Sequence, residues 1–378
     1  MKLERGFLPS SDPIESLGNE FRPWESLANS LPKVLVAEQL HSYLAELPTI
    51  DVSGLTSPMA LERAMLILSY LSHAYIWTST PTPTTLPSKL AIPWAKVAAK
   101  LQRPPVLSYA SYTLHNWKRL DKTQPVELGN IVLLQNFLGG IDEEWFILVH
   151  VDIEAKAAPI VQSMPLCLEA IDEGNLEKLE TNLNRIYEAL QTMCNTLERM
   201  PEHCDPYIYF NRVRPYIHGW KANPVLPDGL IYEGVAEYHN QPQKLRGETG
   251  AQSSIIPSMD AFLSIEHEHD ILREYLMEMR DYMPLPHREY IAAFEGKLKL
   301  RDYIQDKRLE RPELKMLYNE IVLLVDKFRD THLNYAAQYI YSQIQSSEAN
   351  PSKVGTGGTP FLKYLKKHKV ETTKYLIN

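Results

Sequence analysis

The sequence predicts an all-α protein. Apolar residues recur at helical spacing in several long segments, strand-like alternation is scarce, and clustered prolines stop the periodic segments. The chain has 378 residues, which suggests two domains, and is 44% hydrophobic, enough for a sizeable core.

Residues 1–55 are rich in proline and serine, with one helical run near Lys33 to Leu47. Pro58 to Trp77 is a strong helix: Pro58 stands like a first helical residue after Ser57, and Leu61, Ala64, Met65, Leu68, Leu71 and Tyr75 make a wide apolar stripe. Thr78 to Ser88, with three prolines, is a loop. Ala91 to Leu101 is a shorter helix ended by Arg103-Pro104-Pro105, where we place a boundary between a small N-terminal, mostly helical domain (1–103) and a large helical domain (104–378).

Val106 to Trp117 is apolar and aromatic, and its pattern admits strand or helix. Glu143 to Gln162 opens with β-branched residues but continues into Glu154 to Ala158, which favours helix. Asn175 to Met200 repeats apolar residues three and four apart. Pro206 to Gly219 reads as a helix bent at Pro215, 223–249 as loop, Ser258 to Asp281 as one long helix, and Pro286 to Leu298 as another. Pro312 to Gln345 is the most informative stretch. Leu317, Ile321, Leu324, Phe328, Tyr335 and Tyr339 paint one stripe, and His332 falls within it, three residues after Arg329. A glycine-rich segment (350–359) and a last helix, Pro360 to Leu376, close the chain.

The net charge of −8 argues against nucleic acid as the main partner, and the short basic run at 363–369 reads as a solvated helix face. Three cysteines without a CxxC pair exclude a zinc ribbon and fit a reducing cytoplasm. No signal-peptide core precedes residue 12, and no segment is apolar enough to span a bilayer. We therefore expect a cytoplasmic protein with no membrane partner.

Walker, HExxH, GxSxG and dinucleotide-binding signatures are absent. His332 in an apolar stripe is either a core histidine with one satisfied hydrogen bond or an axial metal or haem ligand. His267-Glu268-His269-Asp270 resembles a metal cluster, but on one helix His267 and His269 point roughly 200° apart, so these read as surface residues. His150 lies in the most apolar stretch, where burial keeps an imidazole neutral. Arg214 stands among aromatics, either stacked or waiting for an anion. The run Gly355-Thr356-Gly357-Gly358-Thr359 could cradle an anion with backbone N–H groups, or be a flexible surface loop.

Six stretches occur in order: PPVLSYASYTLHNWK (104–118), RPYIHGWKANPVLPDGLIYEGV (214–235), GAQSSIIPSMDAFL (250–263), MRDYMPLPHREYI (279–291), RDTHLNYAAQYI (329–340) and VGTGGTPFLKYLKK (354–367). Together they resemble the indoleamine 2,3-dioxygenase family, in a bacterial-type form, while the first hundred residues match more weakly. The resemblance implies an all-α haem enzyme that uses O2 and ferrous haem b to open the pyrrole ring of L-tryptophan or a close indole, giving N-formylkynurenine, with an unidentified reductant. It implies His332 as the proximal iron ligand and Arg329, paired with Asp260, beside a haem propionate. Arg214 would meet the substrate carboxylate. Tyr109, Tyr112, Thr113, Phe146, Tyr209 and Phe210 would wall the indole pocket, and Thr356 would belong to a loop closing over substrate.

Two departures from the family pattern matter. The mammalian enzymes' distal serine is replaced by His150, a group that related tryptophan 2,3-dioxygenases use to contact the indole N–H. The usual Gly-Ser-Ala-Gly run reads Glu248-Thr249-Gly250-Ala251, which adds a carboxylate where substrate would lie. The rival readings are a haem enzyme for another indole and a haem-based sensor without oxygenase activity. Oligomeric state is not legible.

Overall fold

The computed structural model describes residues 3–297, 299–343, 347–358, 366–367 and 370–378. The expected all-α class is borne out. Three short helices, α1 (Arg22–Asn29), α2 (Leu31–Val36) and α3 (Leu40–Glu46), replace the single run expected near residues 33–47. They lean on α4 (Pro58–Thr78) and α5 (Ser88–Leu101). Strand is confined, among the described residues, to two-residue pairs: Thr85–Leu86 runs parallel to Ile231–Tyr232, and Lys118–Arg119 antiparallel to Ile131–Val132.

Several helices are shorter than the periodicity suggests, each for a visible reason. The expected helix at 143–162 is two, α6 (Ile141–Lys156) and α7 (Ala158–Glu173), with a break at Ala157 ahead of Pro159. The long helix expected at 258–281 is also two. Helix α10 (Ile255–Leu263) ends at Ser264, whose φ of 62° is left-handed, and α11 (Ile271–Met279) starts afresh at Asp270, whose carboxylate accepts from the N–H groups of Leu272 and Arg273. The region 206–217 is a single turn, α9 (Pro206–Ile208), then a wide π turn (Tyr209–Val213) and a 3-10 turn (Arg214–Ile217). The ambiguous 106–117 segment is neither strand nor regular helix: its centre, Ala110–Leu114, is another π turn. Helix α12 (Leu285–Ala292) and α13 (Lys299–Lys307) precede α14 (Pro312–Ala336), which passes into a third π turn (Ala337–Tyr341) rather than running regularly to 345. The expected closing helix lies in part outside the described residues, as do 344–346.

Two apolar cores form. One gathers around α4 and α5 with Trp94, Trp117 and Trp220; the other around α7, α8 (Leu176–Glu198) and α14. Helix α6 serves both: Ile147, Leu148 and Val151 face the first core, Val149 and Ile153 the second. A helix apolar on opposite faces must lie between two packed layers, and that puts His150 at their seam. We keep the 103/104 division as a proposal about separable units, since the apolar packing of 8–101 continues directly into 106–151.

One backbone crossing has no spare room. Residues 217–221 lie against 245–248, and a Cβ on Gly247 would meet the Gly219 nitrogen at 2.2 Å and the Ile217 carbonyl oxygen at 2.3 Å. At Gly250 an added Cβ meets nothing within 4 Å. Gly247→Ala should therefore destabilise the protein by roughly 1–3 kcal/mol or more in denaturant unfolding, with Gly250→Ala a small effect by comparison; equal costs would contradict this account.

Candidate active site

A cavity of about 660 Å³ opens between α6, α8, α10, α11 and α14. That is the size of a small-molecule or cofactor site. Its inner wall is apolar, with Met193, Leu197 and Met200 from the end of α8 and Phe328, Ala336 and Ile340 from α14 and its π turn. Arg273 and Lys297, both exposed, line it, as do Glu266 and an Arg280–Glu295 ion pair.

Helix α14 does what its stripe predicted. Its N-terminal half buries Leu314, Leu317, Tyr318, Ile321, Val322 and Val325 in the second core, and its C-terminal half presents Phe328, Arg329, His332 and Tyr335 to the cavity. The surface that His332 exposes faces this cavity, and protein surrounds the site. Burial, with the His150 imidazole as a second cause, pulls His332 down to about 4, so it is neutral. Its ring makes no hydrogen bond to the described residues. Of the two readings left open by the sequence, the satisfied core histidine finds no partner for its ring among the described residues. A neutral, unpartnered imidazole facing an apolar cavity fits an axial ligand.

Arg329 is buried and bonds both carboxylate oxygens of Asp260, at 2.8 and 2.6 Å, as well as the Thr372 hydroxyl. The guanidinium draws the Asp260 carboxyl below its ordinary range against the opposing effect of burial. His267 completes this corner. It lines the cavity, with Nδ1 2.7 Å from Glu371 and Nε2 3.3 Å from Asp260. Reading it as a surface residue was an error that followed from the unbroken helix assumed for 258–281. The Asp270 cap before Ile271 was the signal for the break.

His150 lies on α6. Its Nδ1 is 2.7 Å from the Phe146 carbonyl oxygen, which can only accept, so Nδ1 carries the proton and Nε2 is left as an acceptor. Burial lowers its pKa and keeps it neutral. One turn on, Glu154 is fully buried, with Oε1 accepting from Tyr109 (3.0 Å) and Ser253 (2.8 Å) and Oε2 without a partner. Sequence reasoning passed over Glu154, although its spacing of four from His150 puts both on one face of α6.

Of the predicted site residues, Tyr109, Phe146, His150, Tyr209, Glu248, Thr249, Asp260, Arg329, His332 and Thr356 all line the cavity. Tyr112, Thr113, Phe210 and Arg214 do not; they are buried behind its wall. Tyr112 stands 6.4 Å, ring to ring, from Phe146. Arg214 lies over Phe210 and donates to Asn350 Oδ1 and to the carbonyls of Pro351 and Val354. Burial lowers its pKa to about 10, and the cation is held by neutral acceptors alone. In this structure the side chain pins the 350–354 segment, and its meeting with a substrate carboxylate stays a proposal. That segment leads into Gly355 and Thr356, which reach the cavity, and the Thr356 hydroxyl donates to the Glu248 carbonyl. The glycine-rich run is therefore tied down through 358, not a loose surface loop; Thr359 lies outside the described residues.

The indoleamine 2,3-dioxygenase family model matches residues 1–375. The chain belongs to the indoleamine 2,3-dioxygenase family. It is 34% identical to indoleamine 2,3-dioxygenase 1 of Rattus norvegicus, covering 97% of this chain and 92% of that one. It is 31% identical to indoleamine 2,3-dioxygenase 2 of Homo sapiens, over 99% and 94%. It is 30% identical to a 6-hydroxytryptophan 2,3-dioxygenase of Fusarium equiseti, over 97% and 94%. Membership extends through the N-terminal hundred residues, where the motifs were weakest, and makes haem iron the expected cofactor of this indoleamine 2,3-dioxygenase cavity. Among the described residues no helix is long and apolar enough to cross a membrane.

Burial raises the Glu154 carboxyl to about 7, above an unfolded value near 4.5. A raised acid favours the native state most below the unfolded pKa and loses that contribution as pH climbs through the folded one. Glu154→Gln removes the titration. Between pH 5 and pH 8 the wild type should lose roughly 3 kcal/mol relative to this variant, read from denaturant unfolding at both pH values. Parallel pH profiles would refute the assignment.

Proposed function

We propose that the protein is a haem-dependent dioxygenase that uses O2 to cleave the pyrrole ring of L-tryptophan or a close indole derivative, giving the N-formylkynurenine product, with haem b held through His332. The observation that carries this is one unpartnered neutral imidazole on α14, facing an apolar cavity that a second neutral imidazole, His150, also lines. Membership of the dioxygenase family supports it.

Bound through His332, ferrous haem would supply the binding and activation of O2. In the overall reaction both atoms of O2 end on the two carbons of the indole C2–C3 bond, which is broken. The chain's own residues orient and enclose. Phe146 and Tyr209, with ring centroids 4.6 Å apart, and Tyr109 form an aromatic wall for the indole. His150 Nε2, an acceptor by virtue of the Nδ1 bond to Phe146, receives the indole N–H. Arg329, fixed by Asp260, would donate to a carboxylate of the porphyrin. Arg214 acts as a positioning residue that keeps Thr356 over the cavity; meeting a substrate carboxylate directly would require it to exchange Asn350 and two backbone carbonyls for that group. The buried, unpaired Cys167, Cys194 and Cys204 accord with a reducing cytoplasmic setting.

Haem-reconstituted protein, reduced and given O2 and L-tryptophan, should form N-formylkynurenine. His332→Ala should lose most of the Soret absorbance and all product while retaining the wild-type far-ultraviolet circular dichroism. Full haem occupancy in that variant would remove His332 as ligand. A haem-loaded wild type inert toward every indole offered would leave a sensor, not an oxygenase.

A further inference from the structure

Glu248 has no role in the reading above, yet its carboxyl finds no partner among the described residues. It is 4% exposed and lines the cavity wall. The cations near it in sequence or through shared contacts are engaged elsewhere. Arg246 pairs with Glu278 at 2.8 Å and lies over the Tyr275 ring at 4.8 Å. Arg214 is held by Asn350 and the carbonyls of Pro351 and Val354.

The backbone that carries this carboxyl is held in place. The Glu248 N–H donates to the Ile217 carbonyl at 3.0 Å, its own carbonyl accepts from Thr356, and the Gly219–Gly247 crossing immediately before it has no slack. Gln252 adds a brace, donating to the Gly247 carbonyl and accepting from the Tyr109 N–H, each at 2.9 Å. A buried acid without a donor or cation is costly unless a ligand completes it. The ligand this cavity takes presents a flat ring to Phe146 and Tyr209, and the group that complements a carboxyl beside them is an ammonium.

Resting on the reading that the cavity binds an indole, we propose that Glu248 receives the substrate's ammonium. The polar groups that feel this carboxyl are the phenols of Tyr70, Tyr109, Tyr112 and Tyr209, all of them neutral at pH 7 because burial raises each. Burial pushes Glu248 itself up to about 8, so it is mostly protonated at pH 7. Pairing with an ammonium favours the carboxylate, and amine binding should then release close to one proton.

The test uses haem-reconstituted full-length protein and its Glu248→Gln and Glu248→Gly variants. Tryptamine, L-tryptophan and indole-3-propionate, which has the ring and carboxylate but no amine, are titrated by calorimetry at pH 7. Two buffers of different ionisation enthalpy report the proton count. Wild type should bind both amines at least about tenfold more tightly than indole-3-propionate, with proton release. Both variants should weaken the amines about 10- to 100-fold, the span of one charge-assisted bond, abolish the release and leave indole-3-propionate unchanged or tighter. An equal loss for all three ligands, or amine affinities that the variants leave intact, would overturn the assignment. Product assays run in parallel separate the two readings. Amine selectivity without product from any indole sinks the oxygenase and keeps Glu248; product with unaltered selectivity in the variants does the reverse. Failure of all three ligands to bind sinks both.

Discussion

An imidazole with no hydrogen-bond partner among the described residues, facing a cavity, is the constraint that orders this structure. Ordinary core histidines match their ring nitrogens with a donor or a carbonyl. His73 shows the ordinary case: its Nδ1 is 2.8 Å from the Tyr216 carbonyl oxygen and its Nε2 accepts from the Leu107 N–H at 3.0 Å. His332 has nothing of the kind. The long buried face of α14 against α8 holds its backbone in place, so the ring cannot retreat into a better-satisfied position without unpacking the second core.

The wall around that ring is built by irregular backbone. All three π turns among the described residues border the cavity or abut a residue that does: one follows Tyr109, one contains Tyr209 and one contains Tyr339 and Ile340. A π turn widens the helix by one residue and re-aims the side chains that follow. Here it sends Tyr112, Thr113 and Phe210 behind the wall while Tyr109 and Tyr209 stay in it. Arg214 belongs to the same logic, because the turn that ends at Val213 sets its direction, toward the 350–354 carbonyls.

This explains what was legible and what was not. Periodicity carried α4, α5, α8 and α14, because long helices packed on one apolar face print a 3.6-residue repeat. It also carried His332 and Arg329, which need only the phase of that repeat. The motif resemblance brought Asp260 and the cavity-facing Tyr109, Phe146 and Tyr209. Spacing failed where one residue in an unusual conformation redirects everything after it. Ser264 in the left-handed region split the predicted helix at 258–281 and brought His267 inward. The π turns, which shift register by a single residue, leave no compositional mark. Glu154 was missed for another reason: a lone carboxylate in an amphipathic pattern looks solvated until a second core is known to cover it.

The cavity's charge layout differs from one side to the other. Arg329 and Asp260 neutralise each other beside His332, and the exposed Arg273 and Lys297 also line the cavity. The wall built from α6 and the 248–253 segment presents Glu248, with Glu154 buried behind it, and no described ion pair neutralises either. The two acids are not equivalent. Tyr109 and Ser253 already satisfy one oxygen of Glu154, which makes it a brace for the aromatic wall. Glu248 faces the cavity with neither oxygen engaged, so its energy changes most when something enters. A cavity-facing carboxyl with no described partner directs selectivity toward a group that pairs with its carboxylate form, and an ammonium is such a group.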